Sequence, residues 1–232
     1  MWQALVDTYD SRFSFPDGEY FINNVWEAYY LLSNDAMLVG DAWRLEAICG
    51  MLGNAYAESH MNPWAWNGSV SDGAYGLVQF HPPSYYIGGR GLDFNGYAPY
   101  VPTLPYTASP TDGQAQLLVV DSPTQTKYDA SNFRKQISRD LGWSILEWDN
   151  IQDFKRCDSL EEATQAFLLF YEFPSTSLSE LRTEFDNRYR YASTIWEILT
   201  GEPPVPPTPT KKSKMPLYMY TLKRYRHKKG LL

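Results

Sequence analysis

The chain has 232 residues, of which 44% are hydrophobic and 20% are charged. This length is enough for one domain of ordinary size with extensions, and the composition is that of a globular protein. The formal net charge of −7 is unevenly distributed, because residues 1–202 hold all 27 acidic residues and only 12 of the 20 basic ones. The other basic residues lie in a tail over residues 211–232, which we expect to meet an anionic partner or the acidic body itself.

Cysteine usage and hydropathy exclude two classes of protein. Cys49 and Cys157 are the only cysteines, so the chain is not a disulfide-framework protein. We expect two buried free thiols, with a single bridge between them as the alternative. No apolar run reaches the roughly 18 residues of a membrane span. The N-terminal segment has neither the basic nor the apolar region of a signal peptide, so we expect neither a membrane span nor the usual export route.

Two helices are predicted after an N-terminal arm over residues 1–17. Aromatic and aliphatic residues recur at helical spacing over residues 19–32 and again over residues 41–60, where Asp41 is the predicted N-cap. The second helix carries a stripe of small residues, namely Ala47, Gly50, Gly53 and Ala57. Small side chains allow close approach of another element, so we expect this helix to lie at the centre of the fold.

A small β-hairpin is predicted after the second helix. Asn62-Pro63 ends that helix, the turn-rich residues 67–73 follow, and residues 75–80 have the composition of a short strand. Residues 81–126 are rich in Pro, Gly and Tyr, and we expect a long irregular region there.

Three more helices are predicted in the second half of the chain. They cover residues 132–149, a segment that opens at Ser159 with a capping box to Glu162, and residues 178–199. From Gly201 the composition changes to a Pro-rich linker. The predicted fold is therefore α+β and mostly helical, with one domain over residues 18–200, a linker over 201–210 and the basic tail over 211–232.

Glu58 is the candidate residue for acid chemistry. A glycosidase needs a carboxylic acid held partly out of water, so that the acid keeps its proton near neutrality. Glu58 lies in the last turn of a predicted helix with small or apolar neighbours. The partial negative charge at a helix C-terminus also disfavours ionisation. An isolated Glu at a helix end is more often an ordinary solvated acid, so the surrounding residues must decide between the two interpretations.

Three segments of the chain carry a resemblance to a known family. The first is Gly53-Asn-Ala-Tyr-Ala-Glu58-Ser59-His-Met-Asn62-Pro63, and the second is Gly73-Ala-Tyr75-Gly76-Leu-Val-Gln79-Phe80. The third is Phe167-Leu-Leu-Phe-Tyr171-Glu172-Phe-Pro174, followed by Arg188 and Ala192. Over about residues 18–200 the chain resembles the phage tail lysozyme family, which shows Gly-Asn-x-x-x-Glu-Ser-x-x-Asn-Pro, then Gly-x-Gly-Leu-x-Gln-Trp, and later Phe-x-x-x-Tyr-Glu-x-Pro. The chain departs from this pattern at Phe80, where Trp is common.

The resemblance implies a lysozyme-like fold in which a small β-hairpin faces a central helix across a cleft, with Glu58 as the general acid. The implied reaction is cleavage of the β-1,4 bond between N-acetylmuramic acid and N-acetylglucosamine in bacterial peptidoglycan, without a cofactor. It also implies a place in the virion, at the phage tail, where the enzyme would breach the host wall during infection. Other phage tail proteins are then expected partners, and the segment Lys211–Leu232 is a candidate for contacting them.

The remaining site residues are assigned on position and resemblance. Asp72 is the candidate second carboxylate, because it lies in the predicted hairpin turn, although Asp-Gly is also an ordinary turn pair. Tyr75 and Gln79 match the family's hairpin motif and are expected to contact the sugars, or else to hold the hairpin. Tyr171 and Glu172 match the later motif, with substrate binding and a structural role both open.

The sequence disfavours two other classes of hydrolase. Three histidines without a His-Glu-x-x-His motif disfavour a zinc amidase, so no metal ligands are expected. Cys49 on an apolar helix face disfavours a cysteine peptidase.

Tyrosines interleave with basic residues in the tail, a pattern that can bind nucleic acid, although an assembly or solubilising segment is favoured. Two alternatives stay open for the whole protein: a lytic transglycosylase, and a non-catalytic structural or wall-binding tail protein on the same fold.

Overall fold

The computed structural model describes residues 18–34, 36–63, 65–67, 74–81, 112–123 and 127–202. The predicted arm over residues 1–17, Asp72, and residues 203–232 with most of the linker and all of the tail lie outside these ranges. Within the described part the protein is mostly helical, with one short pair of strands. None of the helices in that part has the length and hydrophobicity to cross a membrane.

The elements follow one another along the chain in a simple order. The α-helices are α1 (Gly18–Asn34), α2 (Leu45–Ser59), α3 (Asp112–Asp121), α4 (Asn132–Leu141), α5 (Ile151–Phe154), α6 (Leu160–Ala166) and α7 (Leu178–Thr200). The strands are β1 (Trp66–Asn67) and β2 (Ala74–Tyr75), and a π-helical segment, Phe167–Glu172, continues directly from α6. The first two predicted helices and the last are thereby confirmed as elements, while several predicted boundaries are wrong.

Helix α2 begins at Leu45 and not near the predicted cap Asp41. Its N-cap is Arg44, in an extended conformation without a side-chain capping bond. The backbone N–H of Arg44 donates to the carbonyl of Lys155 at 2.9 Å, and the Trp43 indole donates to Asp121 at 2.8 Å. These long-range bonds hold the preceding residues outside the helix, which a local capping signal cannot foresee. The helix ends at Ser59, and its C-cap His60 is left-handed with φ of 54°.

The central position predicted for α2 is borne out by its burial and its close contacts. Every residue from Ala47 to Tyr56 is buried. A Cβ atom added to Gly50 would lie 2.6 Å from Cβ of Ala163 in α6, and one added to Gly53 would lie 2.7 Å from Cβ of Ala192 in α7. The two glycines therefore let α6 and α7 pack directly against the backbone of α2, which leaves Glu58 at the exposed end of a tightly held helix.

The strand predicted over residues 75–80 is largely a turn. Strands β1 and β2 pair antiparallel over two residues each, with Trp66 opposite Tyr75. The chain then turns back at Gly76, with φ of 84°, and Phe80 forms an isolated bridge with Tyr75. The turn is fixed from α3, because Oε1 of the buried Gln116 accepts from the backbone N–H of Leu77 at 2.8 Å.

Helices α3 to α6 show what local signals did and did not predict. Helix α3 lies inside the region expected to be irregular, so that expectation is wrong for residues 112–121. Helix α4 ends at Leu141, eight residues before the predicted end, because Gly142 adopts the left-handed conformation with φ of 77°. The predicted cap of α6 is confirmed, since the Ser159 hydroxyl accepts from the backbone N–H of Glu162 at 3.3 Å.

A buried ion pair joins α3 to the segment after α5. Nζ of Lys155 lies 3.2 Å from Oδ1 of Asp121, and the two side chains are 2% and 1% exposed. Asp121 also accepts from the Trp43 indole and, at 2.7 Å, from the backbone N–H of Val39. A charged pair is tolerated inside a core when its charges are paired and hydrogen-bonded in this way. Elsewhere in the core Cys49 and Cys157 are both buried and free, as the favoured expectation had it.

Candidate active site

Glu58 lies in the last turn of α2 with its side chain 22% exposed. Its Oε1 accepts a hydrogen bond of 2.6 Å from Nη2 of Arg188, a residue of α7 that is 4% exposed. The structure therefore gives Glu58 a charged partner, whereas the sequence pointed to small and apolar neighbours alone.

Arg188 is held in a fixed position beneath Glu58. Its Nη1 donates to the backbone O and the side-chain Oδ1 of Asn54 at 3.3 and 3.4 Å, and its Nε lies 3.4 Å from Oε2 of Glu184. Burial lowers the pKa of the Arg188 guanidinium, but Glu58, Glu172 and Glu184 outweigh burial and raise that pKa above its ordinary value. Arg188 is thus a permanent cation at this site.

Glu172, at the end of the π-helical segment, is the second carboxyl of the site that the structure describes. Its side chain is 5% exposed, and its Oε2 accepts from Nζ of Lys127 at 2.9 Å. Its Oε1 is buried and has no hydrogen-bond partner within the described part of the chain. The net pKa of Glu172 is raised to about 7, because burial, which raises it most, and the charge of Glu58 together outweigh Lys127 and Arg188, which lower it. An electrostatic cluster of two carboxyls and two cations is therefore present: Glu58, Arg188, Glu172 and Lys127.

Lys127 ties this cluster to the turn after β2. Its Nζ donates to the backbone carbonyl of Val78 at 2.6 Å and to Glu172 at 2.9 Å. It also lies over the ring of Tyr171, 4.5 Å from the centroid, and 5.8 Å from the centroid of Phe80. The sequence contains no local signal for this role, because the partners of Lys127 are more than 40 residues away on both sides.

The end of α2 is joined to the same turn. The hydroxyl of Ser59 lies 2.9 Å from the carbonyl of Leu77 and 3.0 Å from that of Ala55. On the other side, Nδ2 of the buried Asn24 in α1 donates to the carbonyl of Met61 at 3.0 Å. The residue that follows Glu58 therefore fixes the distance between α2 and residues 76–80.

The predicted sugar-contacting residues differ in their exposure. Tyr75 is 0% and Tyr171 is 2% exposed, so neither ring offers surface to a ligand in this conformation. The Tyr171 hydroxyl has no hydrogen-bond partner among the described residues, and its ring stacks on Phe167 with centroids 4.4 Å apart. Gln79 is partly exposed, and its Nε2 donates to the carbonyls of Gly76 at 3.0 Å and Ala65 at 3.3 Å. The side-chain amide group of Gln79 is thus engaged within the turn.

The structure thus brings together four of the six predicted site residues around one cluster. Glu58, Glu172 and Tyr171 meet through Arg188 and Lys127, and Gln79 lies in the turn that Lys127 holds. Tyr75 packs beneath that turn, and Asp72 lies outside the described residues. Among the described residues no group of three or more His, Cys, Asp or Glu side chains is arranged to hold a metal ion.

A mostly helical domain whose central helix ends in a paired carboxylate is consistent with lysozyme-like proteins. The sequence model of the phage tail lysozyme family matches residues 35–199, which is most of the chain. The protein therefore belongs to the phage tail lysozyme family.

The chain is also similar to part of a phage morphogenesis protein. Morphogenesis protein 1 of Bacillus phage B103 is 42% identical to this chain over 73 residues. The match covers 30% of this chain and 18% of the phage protein, so the chain spans less than a fifth of that relative.

Proposed function

We propose that this protein is a phage tail-associated enzyme that cleaves the β-1,4 bond between N-acetylmuramic acid and N-acetylglucosamine, and that Glu58 is its general acid. The observation that carries the proposal is the position of Glu58. It is the partly exposed carboxyl of the charged cluster, at the end of the central helix, within the residues that match the family. The function in infection would be to breach the host cell wall.

Arg188 plays different parts before and after Glu58 gives up its proton. In the resting protein Arg188 donates a hydrogen bond to Glu58, whereas a general acid must first hold a proton. A sugar chain bound over the exposed face of Glu58 would remove the remaining water, and desolvation disfavours the charged form. Once the proton passes to the glycosidic oxygen, Arg188 stabilises the carboxylate that is left. Because that charge develops in the transition state, Arg188 lowers the barrier itself.

Asp72 remains the proposed second carboxylate. It precedes Gly73 in the segment between β1 and β2, and a carboxylate there would face Glu58 if the sugar chain lies in a cleft between α2 and the strand pair. A separation of about 5 Å between the two carboxyls corresponds to a retaining mechanism, and one of about 6.5 to 9.5 Å to an inverting one.

For the sugar contacts we propose a direct role for Gln79 and an indirect one for the buried residues. The side-chain carbonyl of Gln79 is free to accept from a sugar hydroxyl or acetamido N–H, because its amide group is already bonded within the turn. Tyr75 and Tyr171 act from beneath the surface, since both rings are covered. Glu172 affects the site electrostatically, through its interactions with Lys127, Glu58 and Arg188.

A non-catalytic tail protein on the same fold is the competing proposal, and one observation favours it. The Glu58–Arg188 pair, at 2.6 Å, is also what a carboxylate with a purely structural role would make. On that alternative the protein would bind peptidoglycan or other tail proteins without cutting glycan strands.

Digestion of purified peptidoglycan tests the proposal. The wild-type protein should release muropeptides with new reducing ends, and Glu58→Gln should reduce the rate by at least about 100-fold, the usual contribution of a general acid. Glu161→Gln in α6 is the matched control, because it removes the same charge from a partly buried helical Glu outside the cluster. Failure of the wild type to release muropeptides would leave the structural alternative, and anhydro ends in the mass spectrum would identify a lytic transglycosylase.

A further inference from the structure

We infer that Lys127 is a positioning residue for Gln79. Its hydrogen bond to the backbone carbonyl of Val78 fixes the peptide plane that precedes Gln79, and with it the direction of the side chain proposed to bind sugar. Glu172 in turn holds Lys127 in place. This inference rests on the sugar contact proposed for Gln79, and it gives Lys127 an effect on substrate binding without any contact with the substrate.

Gln79 is the residue of the turn after β2 that a ligand can reach. Within residues 74–80, all of which the structure describes, Gln79 is partly exposed and the other six residues are buried. Its Nε2 donates to the carbonyls of Gly76 and Ala65, so the side chain is held against the turn. A change in the backbone conformation of Gln79 would therefore move the side-chain amide as well.

The backbone of Gln79 adopts a conformation that needs support from its surroundings. Its φ is 42°, in the left-handed region that a residue other than glycine adopts only at a cost in free energy. This angle describes the rotation of Gln79 against the peptide plane that it shares with Val78. On one side of that plane the N–H of Gln79 donates to the carbonyl of Gly76 at 3.1 Å, and on the other the carbonyl of Val78 accepts from Lys127 at 2.6 Å. The bond from Lys127 therefore opposes a rotation of this plane.

Lys127 is itself fixed by groups of the π-helical segment. Its Nζ lies 2.9 Å from Oε2 of Glu172 and 4.5 Å from the centroid of the Tyr171 ring. The side chains of Lys127 and Glu172 are 16% and 5% exposed, and a hydrogen bond from a charged donor is stronger than one between neutral groups. The carbonyl of Val78 is thus anchored to a buried ion pair.

The neighbouring residue of the turn is anchored without Lys127. The carbonyl of Leu77 lies 2.9 Å from the hydroxyl of Ser59, and the N–H of Leu77 donates to Oε1 of Gln116 at 2.8 Å. Loss of Lys127 should therefore leave the first part of the turn in place and release the plane between residues 78 and 79. This difference separates a positioning role from a general loss of structure.

The kinetics of cleavage of soluble glycan strands are the first test. Lys127→Met removes the donor and keeps a long, unbranched side chain. We expect KM to rise about three- to tenfold, the effect of one hydrogen bond, with kcat little changed, because a sugar contact of Gln79 is the same before and during bond cleavage. Lys135→Met in α4 is the matched control, since Lys135 is 18% exposed and paired with Asp149, outside the turn and the charged cluster. Its KM should equal that of the wild type.

A double-mutant cycle tests whether Lys127 acts through Gln79. Gln79→Ala alone should raise KM by a similar factor. In the Gln79→Ala protein Lys127→Met should then raise KM no further, because the side chain to be positioned is gone. Effects that multiply would mean that Lys127 acts on binding by another route, and they would overturn the inference.

A second variant and a second measurement allow for misfolding of Lys127→Met, which leaves the buried Glu172 without its cation. The variant Lys127→Met/Glu172→Gln removes both charges and should show the same rise in KM. In amide hydrogen exchange the N–H of Gln79 should exchange faster than in the wild type, while the N–H of Leu77, bonded to Gln116, keeps its protection. Unchanged exchange at Gln79 overturns the inference.

Binding without cleavage separates this inference from the proposed function. The probe is a tetrasaccharide of alternating N-acetylglucosamine and N-acetylmuramic acid, titrated by calorimetry into Glu58→Gln with and without Lys127→Met. A loss of affinity of about three- to tenfold supports the inference, whereas equal affinities overturn it and leave the function standing. A wild type that binds the tetrasaccharide and cleaves no glycan overturns the proposed function alone. A wild type that neither binds nor cleaves overturns both.

Discussion

The stability of this protein should depend on pH through Glu172. In the folded state burial raises the pKa of this carboxyl to about 7, from an ordinary value of 4.5. The folded state therefore binds more protons than the unfolded state between these two values, and the free energy of unfolding falls as the pH rises through this range. Below about pH 4.5 no stability is lost through Glu172, and above about pH 7 the loss is complete.

The size of the effect follows from the two pKa values. A difference of one pKa unit corresponds to 1.36 kcal/mol, so the shift of Glu172 amounts to about 3 kcal/mol of lost stability at alkaline pH. The side chain is 5% exposed, so solvent screening reduces this value little. Glu172→Gln does not titrate and escapes the loss. Its free energy of unfolding should rise relative to that of the wild type by about 3 kcal/mol between about pH 4 and pH 8.

Urea unfolding at several pH values, followed by circular dichroism, measures this difference. Glu161→Gln again serves as the control, since Glu161 is only partly buried and should show a smaller pH-dependent difference. A stability difference between Glu172→Gln and the wild type that stays constant with pH would refute the reasoning. It would mean that Glu172 keeps the same charge in the folded and the unfolded states.

Two further predictions concern packing and buried charge. Gly53→Ala adds a Cβ that lies 2.7 Å from Cβ of Ala192 and 2.7 Å from the carbonyl of Arg188, neither of which a rotamer change can move. We expect a loss of about 1 to 3 kcal/mol in unfolding free energy, although Ala has the better helix propensity. Cleavage should also be reduced, because α7 carries Arg188. An unchanged urea midpoint would contradict the predicted loss of stability. Asp121→Asn leaves Lys155 buried without its partner charge and should cost about 3 to 5 kcal/mol. Asp158→Asn, which removes an exposed pair with Arg44, should cost less than about 1 kcal/mol, and equal losses in the two variants would contradict the role assigned to burial.

The sequence by itself determined the parts of this protein whose signals are local. Apolar spacing predicted α1, α2 and α7, because an amphipathic helix repeats within four residues. The cap at Ser159 was predictable for the same reason, since donor and acceptor are three residues apart. The small residues of α2 predicted its central position, because they permit close packing wherever the neighbouring helix lies. The motif around Glu58 indicated the family, which the match over residues 35–199 shows.

The tertiary structure alone decided which groups meet. Helix α3 has no one-sided apolar stripe and lies in a Pro- and Gly-rich region, so no local pattern predicted it. The turn after β2 takes its shape from Gln116, which lies 39 residues beyond Leu77. The partner of Glu58 is 130 residues away in Arg188, and Lys127 is 45 residues from Glu172. Charge and burial at a site depend on such distant pairs, which no local pattern encodes. The sequence therefore identified the candidate acid, while the packing of α7 and the π-helical segment against α2 decided the electrostatic environment in which that acid would work.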